Sequence, residues 1–330
     1  MERERELQIR EGLKCLQLSG AVFVRAHLTR PWAYHSPERS QLEKVLRPGD
    51  RRVILFHIFT EGGGRIILND GRIDPTEIEA GDIVIFPFAD QHTVGDPEPI
   101  DAVDLGEMIP PPPWSSLPEI HYGGGGSSTT ILCGYLFSDD APFNPVLGSL
   151  PPFIRVRSAG GPLAQWVESS MQYAMHASEG STDDDPLLKR LPELLFMECL
   201  CEYARQQPDQ RGWLGALSDS IVGRALGLMH QKPNHPWTLH ELARSSASSR
   251  STLDSRFRTF LGRAPMSYLI AYRLQLAGRQ LRSTNATMTE IADFVGYGSE
   301  AAFSRAFTRH TGVSPSEWRQ GATLRPRARS

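Results

Sequence analysis

The chain has 330 residues, a length typical of two domains. Hydrophobic residues make up 40% of it and charged residues 22%, a composition that excludes a fibrous or globally disordered protein. The net charge of −3 conceals an uneven distribution, because residues 232–329 hold 15 Lys and Arg against 6 Asp and Glu. This segment carries +9 and the remainder −12. We therefore expect the basic C-terminal third to contact a polyanion.

The N-terminal residues 1–19 begin MERERELQIRE and lack the apolar core of a secretory signal. No apolar run approaches the ~18 residues that cross a bilayer. The chain has four cysteines, which are too few for a disulfide scaffold: Cys15, Cys133, Cys199 and Cys201. We therefore predict a cytoplasmic protein that does not interact with a membrane and begins with a short extension.

Residues 20–160 are predicted to form an all-β barrel-like domain. Four apolar runs of strand length occur in its first part, at 53–59, 65–68, 82–88 and 131–137. Gly, Pro, Asn and Asp separate these runs, as turns between strands require. No long helical pattern interrupts them, which favours a barrel or sandwich.

Residues 161–210 are predicted to be linker helices. A helical pattern covers about 162–177, a second runs from about 187 to 206, and a third from about 217 to 230. The second has an apolar stripe, which has two interpretations: packing against the barrel, or a seam between two copies of the chain. On the second interpretation we expect a homodimer. The stripe consists of residues 187, 188, 191, 194, 195, 199 and 203.

The last hundred residues contain an internal repeat. One set of residues recurs with the same spacing 50 positions later: Leu253, Phe257, Gly262, Pro265 and Tyr268 correspond to Phe303, Phe307, Gly312, Pro315 and Trp318. Each copy begins with T-x-x-E, at Thr238 and at Thr287, which predicts a capping box. A short helix, a turn and a second helix then follow in each copy.

This plan is that of the helix-turn-helix, and we predict two such units within an all-α domain at residues 211–320. A long helix from about 265 to 281 separates them, and residues 321–330 form a basic tail. Small polar side chains let a helix approach base edges in the major groove, while arginines can contact guanine or phosphate. Arg250, Arg256 and Arg309 are placed to contact phosphates.

The segment IADFVGYGSEAAFSRAFTRHTGVSPSEWR at 291–319 closely resembles the signature of the AraC/XylS family of bacterial transcription regulators. The resemblance covers about residues 217–320 and implies sequence-specific binding to double-stranded DNA. It implies base-reading positions on both second helices. The full set of predicted DNA-binding residues is Arg250, Ser251, Asp254, Ser255, Arg256, Arg258, Ser299, Glu300, Ala301, Ser304, Arg305 and Arg309.

The segment GDIVIFPFADQH at 81–92 resembles the second motif of cupin barrels, with its Gly, Pro and His in place. The resemblance implies a cupin-like effector or sensor domain at residues 20–160. The predicted effector-binding residues are Trp32, His57, Phe59 and His92. For these side chains a role in the hydrophobic core is the alternative.

A different class of function is a metal-dependent cupin enzyme, or a metal or redox sensor, fused to a DNA-binding domain. Its divalent metal would be held by His57, Glu61 and His92, with His121 as another donor. However, Phe59 stands where a catalytic cupin has its second histidine. We therefore expect neither a cofactor nor enzymatic activity.

The sequence as a whole predicts a DNA-binding transcription regulator that is controlled by a small-molecule effector bound in the cupin-like domain. Its expected partners are double-stranded DNA, the effector, RNA polymerase and a second copy of the chain.

Overall fold

The computed structural model describes residues 10, 18–38, 41–42, 46, 52–96, 101–110, 117–138, 147–157, 165–167, 169–170, 173, 186–206 and 212–321. The chain divides into two compact units. One consists of residues 17–139 and 151–206, and the other of residues 1–16, 140–150 and 207–330. None of the described helices is long and apolar enough to cross a membrane.

The first unit is a two-sheet β structure, as the sequence predicted. Its strands are β1 Leu18–Thr29, β2 Ala33–His35, β3 Arg52–Glu61, β4 Gly63–Leu68, β5 Thr76–Glu79, β6 Asp82–Phe86, β7 His92–Gly95, β8 Val103–Asp104, β9 Glu119–Gly123, β10 Ser128–Ser138 and β11 Ile154–Arg157. One sheet has the order β11-β6-β3-β10-β1-β9 and the other β5-β4-β7-β2-β8. A single helical turn, α1 Leu105–Met108, follows β8.

The core of this unit lies between the two sheets. Phe59, Phe86 and Ile131 of the larger sheet pack in one cluster with Ile66 and Val94 of the smaller sheet. Every residue of β6 is buried, so after Asp82 this strand shows a continuous apolar run rather than alternation. The apolar runs identified in the sequence are therefore the strands that form the core.

Helix α2, Pro186–Gln206, belongs to the same unit and contacts β1, β10 and β11. Of its apolar stripe, Leu195, Cys199 and Tyr203 are buried, whereas Leu194 is 49% exposed. The structure therefore places most of the described stripe against the sheet, which is the packing interpretation. The side chains of residues 187 and 188 are outside the described part of the chain.

Three other predicted segments lie largely or wholly outside the described residues. They are the helix at 162–177, of which residues 165–167, 169–170 and 173 are described as helical, the N-terminal extension at 1–19 and the tail at 321–330, of which Gly321 is described.

The second unit is helical throughout residues 212–321. Its helices are α3 Trp213–Ser218, α4 Val222–Gln231, α5 Leu239–Ser245, α6 Arg250–Leu261, α7 Pro265–Ser283, α8 Met288–Phe294, α9 Glu300–Thr311 and α10 Pro315–Arg319. Helices α5 and α6 form the first helix-turn-helix unit, and α8 and α9 form the second. The long helix predicted between them is α7.

The single helix predicted at 217–230 is wrong, because the chain forms α3 and α4 there. The break falls at Asp219, whose Oδ1 accepts the backbone N–H groups of Ile221 and Val222 at 3.0 and 2.9 Å. These N–H groups belong to the first turn of α4, so the carboxylate caps a new helix start.

The two copies differ in their caps. Thr287 and Glu290 form the reciprocal capping box that the sequence predicted for α8. At α5, Thr238 Oγ1 accepts the N–H of Glu241 at 3.1 Å, but the Glu241 carboxylate bonds His235 Nε2 at 2.8 Å. The predicted box at Thr238 is therefore only half formed.

Candidate DNA-binding surface and barrel interior

Helix α6 has one buried face and one exposed face. Leu253 and Phe257 are fully buried. Ser249 caps the helix by accepting the N–H of Thr252 at 3.1 Å. The residues predicted to bind DNA lie on the other side of the helix: Arg250, Ser251, Ser255, Arg256 and Arg258 are exposed, and Asp254 is half-buried.

Two of the α6 arginines already have carboxylate partners. Arg258 Nε bonds Asp254 Oδ2 one turn earlier at 2.8 Å. Arg256 pairs with Asp219, the carboxylate that caps α4. The Arg256 side chain thus connects α6 to the start of α4.

Helix α9 has the same division of faces, with Phe303 and Phe307 fully buried. Ser299, a predicted DNA-binding residue, is the N-cap and accepts the N–H of Ala302 at 3.2 Å. Glu300 accepts a hydrogen bond from Thr289 Oγ1 at 3.0 Å. Of the remaining predicted residues, Ala301, Arg305 and Arg309 are exposed and Ser304 is half-buried.

Arg305 differs from the α6 arginines because the described part of the chain offers it no hydrogen-bond or ion-pair partner. Its guanidinium is therefore available to an external acceptor. A planar fork of donors on an exposed helix face fits the O6 and N7 acceptors of guanine.

The barrel interior brings together the four residues predicted to bind an effector, since Trp32, His57, Phe59 and His92 are all buried. His57 Nε2 and His92 Nε2 are 2.7 Å apart. His57 Nδ1 lies 3.0 Å from Cys133 Sγ, and His92 Nδ1 lies 2.8 Å from the carbonyl oxygen of Asp90. The Asp90 carbonyl, His92, His57 and the Cys133 thiol thus form a row that is joined by hydrogen bonds.

The partners in this row determine where its protons are. The Asp90 carbonyl can only accept, so a neutral His92 carries its proton on Nδ1 and its Nε2 is an acceptor. His57 must then donate from Nε2, which leaves its Nδ1 to accept from the Cys133 thiol. Every hydrogen bond of the row is thus formed with both histidines neutral and the cysteine protonated.

Burial favours the same neutral states. Desolvation holds the pKa of His92 at about 4, and burial together with the neighbouring His92 lowers that of His57 well below its ordinary value. Burial raises the pKa of Cys133 to about 12. The pKa of Tyr34, beside Cys133, is also raised by burial.

Glu61 does not join this row. It is exposed at the end of β3, where its carboxylate accepts from Ser128 Oγ at 2.8 Å and Thr130 Oγ1 at 3.1 Å. His121 is also exposed and stacks on His27 at a ring-centroid distance of 4.9 Å. The described residues contain no group of three His, Cys, Asp or Glu that could hold a metal ion.

Sequence reasoning missed Cys133 and Tyr34 as members of the buried cluster. Cys133 lies opposite His57 in the pairing of β10 with β3, a register that the sequence does not contain. The stacking of Phe86 on His92, at a ring-centroid distance of 3.6 Å, depends on the same sheet packing.

Comparison with known proteins gives two matching families. The family described as Cupin matches residues 10–205, and that described as Helix-turn-helix domain matches residues 242–321.

Three relatives match nearly the whole chain. A putative AraC-like transcription regulator of Streptomyces lividans is 32% identical over 301 residues, which cover 87% of this chain and 95% of the relative. A protein of the same description from Streptomyces antibioticus is 30% identical over 86% of this chain and 94% of its own. The HTH-type transcriptional regulator AlkR of Acinetobacter baylyi is 28% identical over 92% of this chain and 96% of its own.

Proposed function

The chain belongs to the AraC-like transcription regulators, and we propose that it inserts α6 and α9 into two neighbouring major grooves under the control of an effector in its cupin domain. It is a DNA-binding regulator with a cupin domain followed by helix-turn-helix units. The observation that supports the proposed geometry best is the repeated exposed face of α6 and α9, in the part of the chain that carries +9.

In this proposal α9 makes the strongest base-specific contact. Arg305 is exposed and has no partner among the described residues, so binding guanine breaks no internal ion pair. Ala301, one turn before it, adds little bulk between the helix and the floor of the groove. Arg309, one turn after it, is placed for a phosphate.

Helix α6 contributes differently. Its exposed Ser251 and Ser255 can donate to or accept from base edges, and Arg250 at the first turn can contact a phosphate. Arg256 and Arg258 contact DNA only at the expense of their bonds to Asp219 and Asp254. We therefore expect α6 to contribute less discrimination between bases than α9.

The effector is proposed to bind beside Trp32, His57, Phe59 and His92. The Trp32 Nε1–H group is buried and has no hydrogen-bond partner in the described structure. A buried unsatisfied donor costs roughly 1–3 kcal/mol, which an acceptor atom on a bound molecule would remove. Because burial keeps both histidines neutral, we propose an uncharged effector. Because Glu61, the third predicted ligand, is exposed and bonded outside the row, we propose no resident metal.

The further partners are also proposals. A homodimer would present four helix-turn-helix units to repeated half-sites, and the exposed Leu194 is available to such an interface. We propose that the protein acts in the cytoplasm, contacts RNA polymerase and has no enzymatic activity.

The DNA-binding proposal is tested with the purified full-length protein and a library of random-sequence DNA duplexes. Selection should enrich one sequence with two sites about one helical turn apart. Arg305→Ala should weaken binding to it by about 1–3 kcal/mol and relax the preference at one guanine. Arg224→Ala, which removes an exposed arginine outside both second helices, is the matched control. An unchanged preference in Arg305→Ala would overturn the assignment.

The effector proposal is tested by native mass spectrometry of the full-length protein. A retained organic mass that is lost in Trp32→Phe supports it, because phenylalanine keeps the aromatic ring but lacks the donor. A retained metal that is lost in His57→Ala would instead support the metal-sensor alternative. The same spectra give the number of chains in the assembly.

A further inference from the structure

The loop that joins α4 to α5, Lys232–Trp237, lies between the two helix-turn-helix units; we call it the inter-unit loop. One contact attaches it to the first unit and a second closes it on itself. His235 Nε2 bonds the Glu241 carboxylate in the first turn of α5 at 2.8 Å. The buried Trp237 donates from Nε1 to the carbonyl oxygen of Lys232 at 3.0 Å, which closes the loop on itself.

The same loop is held by Arg273 of α7, the helix between the units. Arg273 donates from Nε to the carbonyl of Pro233 at 2.6 Å and from a terminal nitrogen to that of His235 at 2.7 Å. The guanidinium is half-buried and lies beside Tyr297 of the second unit. One side chain of α7 thus holds the inter-unit loop by two hydrogen bonds and interacts electrostatically with the second unit.

The loop also touches the turn of the second unit directly. Gly296, in the turn between α8 and α9, lies so close to Asn234 that a Cβ there would be 2.5 Å from its carbonyl oxygen. That oxygen belongs to the backbone and cannot move aside as a flexible side chain would. The contact therefore requires glycine.

Comparison of the two helix-turn-helix units shows whether the turn alone requires glycine or whether the contact with Asn234 does. The residue equivalent to Gly296 in the first unit is Ala247, and both have left-handed backbones, with φ of +51° at Ala247 and +77° at Gly296. The first unit thus makes this turn with alanine. Glycine at position 296 admits the Asn234 backbone in addition to easing the turn.

From these contacts we propose that the inter-unit loop, gripped by Arg273 and Gly296, fixes the orientation of the two helix-turn-helix units, so that the protein accepts one spacing between its two DNA sites. This inference rests on the proposed function, in which both units bind DNA. Helix α7 packs against both units, so the freedom that remains is bending and twisting along this helix. A second attachment away from that helix removes this freedom.

DNA geometry makes the proposal measurable. One base pair inserted between two sites moves them apart by about 3.4 Å and rotates one against the other by about 35°. A rigid pair of units cannot follow this change, whereas a hinged pair can. A smaller loss of affinity on changing the spacing between the two sites is therefore a result that general destabilisation of the protein does not produce.

The experiment uses full-length protein and the duplex selected from the random library, together with versions that carry one base pair more or fewer between the two sites. We expect the wild-type protein to lose about tenfold or more in affinity for either altered duplex. Arg273→Ala should bind the selected duplex more weakly but lose less than about threefold on the altered ones. Gln280→Ala, on the same helix and outside the loop contacts, should discriminate like wild type.

A second pair of variants keeps the test independent of Arg273. Gly296→Ala should relax the spacing requirement, whereas Ala247→Gly, at the equivalent turn, should leave it intact. If Arg273→Ala and every folded Gly296 variant keep the wild-type discrimination, the proposal is wrong. Failure of the proposed function is a different result, since the wild-type protein would then enrich no two-site sequence.

Discussion

The buried His57–His92 pair predicts that the cupin domain loses stability as the pH falls. In the folded chain the pKa of His92 is held at about 4, whereas an unfolded histidine titrates near its ordinary value of 6.5. Between these values the unfolded state binds the proton and the folded state does not, so the free energy of unfolding decreases with decreasing pH. The contribution is complete above pH ~6.5 and is lost progressively towards pH ~4.

The size of the effect follows from the separation of the two pKa values. Between about pH 7.5 and 5.0, His92 alone should lower the free energy of unfolding by about 2 kcal/mol. His57, whose pKa is also lowered, adds to the loss. The side chain of His92 is fully buried, so solvent screening does not reduce the figure.

The assay is urea unfolding of the full-length protein, followed by tryptophan fluorescence at both pH values. His92→Gln should be less stable than wild type near neutral pH, because the bonds to His57 and Asp90 are disturbed. Its stability should nevertheless depend less on pH, by about 2 kcal/mol over the interval. His121→Gln, which replaces an exposed histidine of the same domain, should retain the wild-type dependence.

The difference between wild type and variant separates the coupled His57–His92 pair from the other titrating groups, because removing His92 also changes the pKa of His57. An equal pH dependence in wild type and His92→Gln would refute the argument, since His92 would then be protonated alike in both states.

Two further predictions concern other parts of the chain. Asp219→Ala should destabilise the helical unit by about 1–3 kcal/mol. Asp219→Asn should destabilise it by less, because the amide oxygen still caps α4. Equal losses of stability for the two variants in thermal unfolding would show that the cap contributes nothing. Because burial raises the pKa of Cys133 to about 12, iodoacetamide should leave this thiol unmodified in the native protein at neutral pH and alkylate it in urea. Peptide mass spectrometry detects the alkylation. Rapid alkylation of the native protein would contradict the buried position of Cys133.

The sequence predicted the helix-turn-helix units well because their signals are local. Capping residues, the left-handed glycines and the apolar positions of α6 and α9 all lie within a few turns of one another. The repeated apolar residues Phe257 and Phe307 are fully buried. Four of the eleven described strands of the cupin domain were predicted for the same reason, since each apolar run corresponds to one strand.

Local signals also caused the errors. A helical pattern predicted one helix at about 217–230, but the side chain of Asp219 caps a new helix start within it. Glu241 has the spacing of a capping box, yet His235, six residues earlier, competes for its carboxylate. In each case a specific hydrogen bond decides the local structure, whereas the helix propensity of a single residue is worth only a fraction of a kcal/mol.

By itself, then, the sequence determined the class of protein, the order of its two folds and the helix faces that are exposed, because periodicity and capping are properties of neighbouring residues. Only the tertiary structure decided which distant groups meet. The proton positions of His57, His92 and Cys133 depend on the register of β3 with β10 and on the packing of the two sheets, which brings His92 to His57. The inter-unit loop contacts residues up to 62 positions away in the chain, Asn234 against Gly296. Such contacts arise when the chain is folded back on itself, and no local pattern encodes them.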